Sequence, residues 1–197
     1  MMNFVMQTIL VENKLIKKLP VHLGGHCNIT HIDEASLDYL ISKYSIRSFY
    51  DLGCGPGGMV KLANSKKIKS TGIDGDFTIK YRDGLDIITH DFTKGALDLE
   101  SRDLCWSCEF LEHVEEKYMD NYFSVFNKSK VVFCTYSLSR GGHHHVNVKN
   151  QDYWDKCFTE RMFTKDLEST EYVRKNSSMN RDFVRNTGTV YINNRKL

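Results

Sequence analysis

Short apolar runs and helical spacings alternate along this chain. Residues 34–44 place Ala35, Leu37, Leu40, Ile41 and Tyr44 at helical intervals, with Asp33 positioned as an N-cap. Strands are predicted near 46–51, 68–73, 86–89 and 102–107. Glu115 to Phe126 reads as a helix with Met119, Tyr122, Phe123 and Phe126 on one face. Lys130 to Tyr136 follows, and its unbroken run Val131-Val132-Phe133-Cys134 is that of a central buried strand. A helix over 150–160, a short strand near 161–164, a helix near 166–177 and a last strand near 183–192 complete the pattern. Strands alternating with helices predict a parallel sheet covered on both faces.

Chemistry enters at Phe49-Tyr50-Asp51-Leu52-Gly53-Cys54-Gly55-Pro56-Gly57-Gly58, where a strand ends in an acid and a glycine-rich turn opens a helix. Glycine permits close approach of a ligand to the main chain, and the free N–H groups of the helix start face it. Gly53, Gly55 and Gly58 also satisfy the G-x-G-x-x-G spacing of dinucleotide sites. Asp51 argues against a pyrophosphate there, because a carboxylate repels it and suits a ligand bearing a cationic amino group. A Rossmann-like domain with another ligand is the alternative for the turn taken alone.

The acid-Leu-Gly-Cys-Gly-Pro-Gly run resembles the first motif of the class I S-adenosylmethionine (SAM)-dependent methyltransferases. Thr71-Gly72-Ile73-Asp74, Thr89-His90-Asp91-Phe92 and Asp103 to Val114, with its Glu109-Phe110-Leu111-Glu112-His113-Val114, resemble the later motifs in order. The resemblance implies a Rossmann-like, doubly wound α/β fold, a mostly parallel seven-stranded sheet and a C-terminal antiparallel hairpin. It implies SAM as cofactor and S-adenosylhomocysteine (SAH) as product. Asp51 then faces the methionine amino group, with Gly53, Cys54, Gly55 and Gly57 forming the turn. Asp74 and Gly75 serve the ribose, Asp91 and Phe92 the adenine, and Cys108 and Glu109 line the pocket.

Two further segments invite a ligand. Leu23-Gly24-Gly25-His26-Cys27-Asn28-Ile29-Thr30-His31 precedes the first helix, and the resemblance makes it a lid, with residues 1–33 as an N-terminal extension of a 34–197 core. His26 and His31 are candidate acceptor contacts. Gly141-Gly142-His143-His144-His145 follows the fifth strand, where ligands of open α/β sheets bind. Neighbouring side chains of an extended chain diverge, so three adjacent histidines do not converge on one ion, and no metal is expected. His143, His144, His145 and His113 are the candidate catalytic groups, histidine being a base near neutral pH, and Gly142 belongs to the acceptor loop. A structural hydrogen bond is the alternative role for His113.

Length suits one domain, and 41% hydrophobic with 26% charged residues is an ordinary soluble composition. The net charge of +2 exerts no strong pull on nucleic acid or membrane. The apolar stretch Phe4 to Val11 is too short to span a bilayer and lacks the marks of a signal peptide, which makes the cytoplasm the expected compartment, a host's if the gene is phage-borne. Six scattered cysteines predict reduced thiols; Cys105-x-x-Cys108 has no second pair to complete a zinc site. The tetrads and Pro-Cys loop of DNA-base methyltransferases are absent. A small-molecule or glycan acceptor, methylated at oxygen, is therefore expected, as in the phage-type and bacterial small-molecule methyltransferases the chain resembles. RNA or protein methylation through the basic stretch Arg174 to Lys196, or SAM binding without transfer, are the alternatives.

Overall fold

A computed structural model describes residues 18–79 and 84–196. The apolar stretch Phe4 to Val11 lies outside the described residues. Helix α1 (Glu34–Tyr44) starts where Asp33 accepts from the Ser36 amide and ends at Ser45, whose φ of 54° turns the chain out of the helix. Then follow β1 (Ser48–Leu52), α2 (Gly58–Ser65), β2 (Lys69–Asp74), β3 (Ile87–Thr89) and β4 (Arg102–Ser107). Next come α3 (Met119–Asn127), β5 (Ser129–Cys134), α4 (Gln151–Glu160), β6 (Phe163–Lys165), α5 (Leu167–Asn176), α6 (Phe183–Thr187) and β7 (Thr189–Asn193).

The seven strands form one sheet in the order β3-β2-β1-β4-β5-β7-β6. Strands β1 to β5 run parallel, and β7 is antiparallel to both β5 and β6. Adjacent residues of each central strand feed opposite faces. Tyr50, Cys105, Val132 and Cys134 pack with Tyr122, Phe123 and Phe126 of α3 and with Trp154 and Phe158 of α4. Phe49, Leu104, Trp106, Val131 and Phe133 pack on the other face with Leu37 and Leu40 of α1 and Met59 and Ala63 of α2. Double-sided burial explains why these strands read as continuous apolar runs. It also gives Cys105 and Cys134 a packing role, since burial raises both thiols far above the usual range.

Three sequence expectations change. Residues 116–118 form a separate 3₁₀ turn before α3, so the helix begins at Met119. Strand β5 stops at Cys134 rather than Tyr136. The expected strand over 183–192 divides into α6 and β7, because Val184 is buried on the α1 side while the Thr187 hydroxyl bonds back to the Phe183 carbonyl. The C-terminal antiparallel pair is present, but α5 and α6 connect β6 to β7 in place of a tight turn.

Helices cross over from β1 in one direction along the sheet and from β4 in the other. The strand order therefore reverses between β1 and β4, and the crevice beyond their carboxyl ends is where this architecture places a ligand.

Candidate active site

A cavity of about 590 Å³ opens at that reversal. The turn after β1, the acids ending β2 and following β3, and the loops after β4 and β5 form its floor and walls. Backbone conformation decides the turn. Gly53 has φ 78°, and a Cβ there would press into the Phe110 ring at 2.7 Å, so only glycine is accommodated. Its amide donates to the Ile73 carbonyl at 2.8 Å, and the Gly55 amide donates to Asp74 Oδ2 at 2.7 Å.

Asp51 is buried beneath this turn, and its Oδ2 has no hydrogen-bond partner among the described residues. Burial, reinforced by the charge of Asp74, pushes its carboxyl up to about 8. Asp74 also accepts from the Asp76 amide at 2.8 Å. Asp91 caps the turn Phe92–Lys94, taking the Thr93 amide and hydroxyl on Oδ1. Burial works against its charge, but the bonds from Thr93 and His22 outweigh it and hold the carboxyl below the usual range. Phe92 is buried edge-on against Phe110, and Gly75 and Cys54 complete this end of the cavity. Gly57 does not line it; it is the N-cap of α2, packed toward Leu85 and Ile87 of the β3 side.

The segment before α1 crosses the cavity as a strap. His22 Nε2 meets Asp91 Oδ2 at 3.0 Å and His26 Nε2 meets Asp76 Oδ2 at 2.9 Å. His26 Nδ1 accepts from the Asn28 amide at 2.9 Å, which makes Nε2 the protonated, donating nitrogen. Thr30 Oγ1 accepts the Gly58 amide at the start of α2. His143 Nε2 reaches the Leu23 carbonyl at 3.1 Å, so this histidine ties the strap down. His26 is thus a strap anchor, and His31 stands at the rim against Asn180 and Phe183.

The other end of the cavity holds the least expected feature. The 3₁₀ turn Leu111–His113 buries Glu112 completely, and its carboxylate oxygens lie against the Glu109 carboxyl without a well-aligned donor among the described residues. His113 Nδ1 is buried and unpartnered as well. The Val146 and Asn147 amides both donate to the Glu112 carbonyl, at 2.9 and 3.0 Å, which clamps the histidine loop onto this turn. His145 consequently lies 4.9 Å from His113, ring centroid to ring centroid. Its Nδ1 donates to the Ser139 carbonyl at 2.6 Å, leaving Nε2 with a free lone pair. One ligand atom each from Glu112, His113 and His145 fall within 4.8 Å of one another.

Electrostatics agree with the geometry. Burial, then the charge of Glu109, raises the Glu112 carboxyl well above the usual range. Burial, then His145, lowers His113 to about 4, so its imidazole is neutral at pH 7. A carboxylate and two imidazoles are a donor set for a divalent transition ion or zinc. Adjacent histidines do diverge, as their spacing predicts, but His145 converges with Glu112 and His113, which come from another loop. His144, with φ 49°, turns toward His22 instead, and burial followed by His22 lowers its pKa.

Glu109 sits between the two ends in a left-handed conformation, φ 51°, a strain of about 1–2 kcal/mol. Thr135 Oγ1 fixes it, accepting the Glu109 amide at 2.9 Å and donating to Oε1 at 2.8 Å. Burial raises this carboxyl above the usual range, against the Thr135 bond. Cys108 lines the cavity with its thiol held far above its ordinary pKa by burial, so it does no nucleophilic chemistry at neutral pH. Gly142 also lines the cavity, and a Cβ there would overlap the His145 ring, so its part is to leave that ring room.

Glu112, His22, Arg181 and Phe183 were not singled out from sequence. The first was visible as Glu109-x-x-Glu112-His113, a spacing that brings acid and imidazole together on a tight turn. The others come from distant segments. Part of the basic C-terminal stretch is internal bracing: Arg174 serves the Gly188 carbonyl, Gln151 and Thr189, and Arg185 serves Asp182 and the Met179 carbonyl. Among the described residues no helix is long and apolar enough to cross a membrane.

No family model and no curated protein matches this sequence. Solved structures do. A TehB-like SAM-dependent methyltransferase from Corynebacterium glutamicum superposes with a TM-score of 0.60 at 14% identity, covering 82% of this chain and 89% of that one. The methyltransferase domain of bacterial CtHen1-C gives 0.56 at 14% identity, over 81% and 96%. The plantazolicin methyltransferase BpumL, bound to a pentazolic desmethyl analogue and SAH, gives 0.54 at 12%, over 80% and 81%. The chain therefore has the fold of class I SAM-dependent methyltransferases.

Proposed function

We propose that this protein is a SAM-dependent methyltransferase that methylates an oxygen of a small-molecule acceptor beside a divalent cation held by Glu112, His113 and His145. One observation carries the reading: buried polar atoms without partners stand at both ends of a single cavity, Asp51 Oδ2 at one and the Glu112 oxygens with His113 Nδ1 at the other. Such atoms are costly unless a ligand completes them. An ammonium group suits the first end and a cation the second.

The residues divide the work by position. Asp51 receives the methionine ammonium, which returns its carboxyl to the charged form. Asp74, fixed by the Gly55 and Asp76 amides, offers its carboxylate to the ribose hydroxyls. Asp91 and Phe92 flank the adenine, and the strap anchored by His22 and His26 excludes water. SAM, when bound, supplies an electrophilic methyl on a positive sulfonium. A divalent cation, when bound, supplies a Lewis acid for an acceptor hydroxyl. With His143 committed to Leu23 and His145 Nδ1 to Ser139, Glu109 is the group placed to take the hydroxyl proton. Alignment behind the methyl carbon supplies the rest.

The test is methyl-labelled SAM with purified protein and small-molecule extract, before and after chelation. Label should enter an acceptor, disappear on chelation and return with added Mn²⁺, Co²⁺, Zn²⁺ or Mg²⁺. Glu112→Gln should abolish the metal response while SAH binding stays intact. Full transfer by the chelated protein would remove the cation from the reading; failure to bind SAH would remove the reading itself.

A further inference from the structure

We infer that the acceptor carries an oxyanion, a phosphate or a carboxylate, and that Arg181 is the residue that selects it. This inference rests on the methyltransferase reading of the same cavity and adds the acceptor's class to it.

The cavity is electrically polarised. Its floor presents Asp51, Asp74, Asp91, Glu109 and Glu112. Among its described lining residues, Arg181 is the one lysine or arginine, and it stands at the rim. A cationic cofactor and a metal ion answer the acids of the floor. No carboxylate among the described residues pairs with Arg181.

Its neighbours in sequence make the contrast. Arg174 and Arg185 are both spent on carbonyls and side chains of the fold. Arg181 has no carboxylate partner among the described residues. Its guanidinium lies over the Phe183 ring, 5.3 Å from the centroid. That cation–π contact keeps the guanidinium beside the Phe183 ring at the mouth of the cavity. A guanidinium so held presents the two-pronged donor that matches phosphate or carboxylate.

The loop that carries Arg181 is braced, which fixes the backbone position from which this exposed side chain reaches the rim. Ser177 and Ser178 donate to the buried carboxylate of Asp33, which also caps α1. Asn180 meets His31 Nδ1 at 3.1 Å, and the Arg185 guanidinium closes on the Met179 carbonyl at 2.9 Å. His31 packs edge-on against Phe183, 5.2 Å between centroids. Beside this ledge a second cleft of about 300 Å³, sharing Glu109, Ser137 and Phe183 with the main cavity, runs on to Asn186. It gives the body of the acceptor a way out, with the reacting hydroxyl at the floor and the anion at the rim.

The first measurement is calorimetric titration of the SAH complex with inorganic phosphate, in chelator so that no metal can bind the anion. Wild type should show saturable binding, Arg181→Ala none, and Arg181→Lys a weakened remnant. No binding to wild type, or equal binding to wild type and Arg181→Ala, overturns the inference. The second measurement is kinetic: with the labelled acceptor, Arg181→Ala should raise KM about 10- to 100-fold and leave kcat within about twofold. Phosphatase treatment of the extract should abolish labelling if the anion is a phosphate, and carbodiimide amidation should do so if it is a carboxylate. Labelling that survives both overturns the inference and leaves methyl transfer standing. SAH affinity, measured in parallel and expected to be equal in wild type and Arg181→Ala, keeps the two readings apart: its absence in wild type defeats the methyltransferase reading and the inference built on it, whereas SAH binding without phosphate binding defeats the inference alone.

Discussion

At the scale of single residues, Asp51 shows how a buried charge can be read twice, as a ligand contact and as a source of instability. Its position was legible because an acid ending a strand two residues before a glycine turn has few structural uses. Its burial was not legible, since that depends on the Phe110 loop folding over the turn. The consequence for stability has a definite sign. The carboxyl goes from 3.8 in the unfolded reference to about 8 in the fold. Between those values the folded state binds the proton more tightly, so unfolding free energy falls as pH rises from about 4 to 8. Asp51→Asn removes that slope. Urea midpoints of the ligand-free proteins should diverge with pH, the variant gaining on the order of 1–4 kcal/mol over wild type by pH 8. Saturating SAH should reverse the order, because only wild type pairs its carboxylate with the ligand's ammonium. Parallel pH curves would mean that Asp51 is already satisfied in the free protein. The three histidines illustrate the opposite limit. Sequence made His143, His144 and His145 equivalent, and the structure separates them into a strap anchor, a ring facing His22 and a ring facing His113.

At the scale of elements, the helices and strands with strong periodicity were readable, whereas pieces whose role depends on a distant partner were not. Residues 183–187 carry Phe183 and Val184 in a row, which imitates a strand; burial of Val184 under α1 and the Thr187 back-bond make them a helical turn. The histidine loop is similar, since its shape comes from two amides held by the Glu112 carbonyl. Gly142 tests that loop as a unit. An added Cβ would overlap the His145 ring and must push it from the trio, yet the loop is exposed and the core is untouched. Gly142→Ala should therefore weaken divalent-ion binding about 10- to 100-fold, the usual effect of disturbing a ligand's support, with SAH affinity unchanged. Titration of Mn²⁺ or Zn²⁺ into both proteins decides it. Equal metal affinity would place His145 outside the centre and leave Glu112 and His113 without their third partner.

At the scale of the whole molecule, the alternating order of strands and helices fixed the sheet, and the sheet fixed the crevice. The rim was hidden because it is assembled from chain segments far apart: the strap before α1 and the loop after α5 meet at Asp33, which lies 144 positions before Ser177. No local pattern announces such a meeting, although each half contributes residues with visible chemistry. The strap closes over a cavity whose floor gathers five acids, two of them, Asp51 and Glu112, with buried unpartnered oxygens, an arrangement that a cationic ligand would relieve. A ligand that binds the native state alone must raise its stability, by about 2.7 kcal/mol at a hundred times its Kd. For a domain of this size that corresponds to a rise in Tm of about 5–10 °C. SAH and SAM should both produce it, each carrying the amino group that Asp51 awaits. NADH should not, because its pyrophosphate would have to lie against the Asp51 and Asp74 carboxylates. Thermal melts with the three ligands at matched concentrations are sufficient. Stabilisation by NADH without stabilisation by SAH would return the glycine turn to the dinucleotide reading that its spacing alone permits, and the acids of the floor would then require another account.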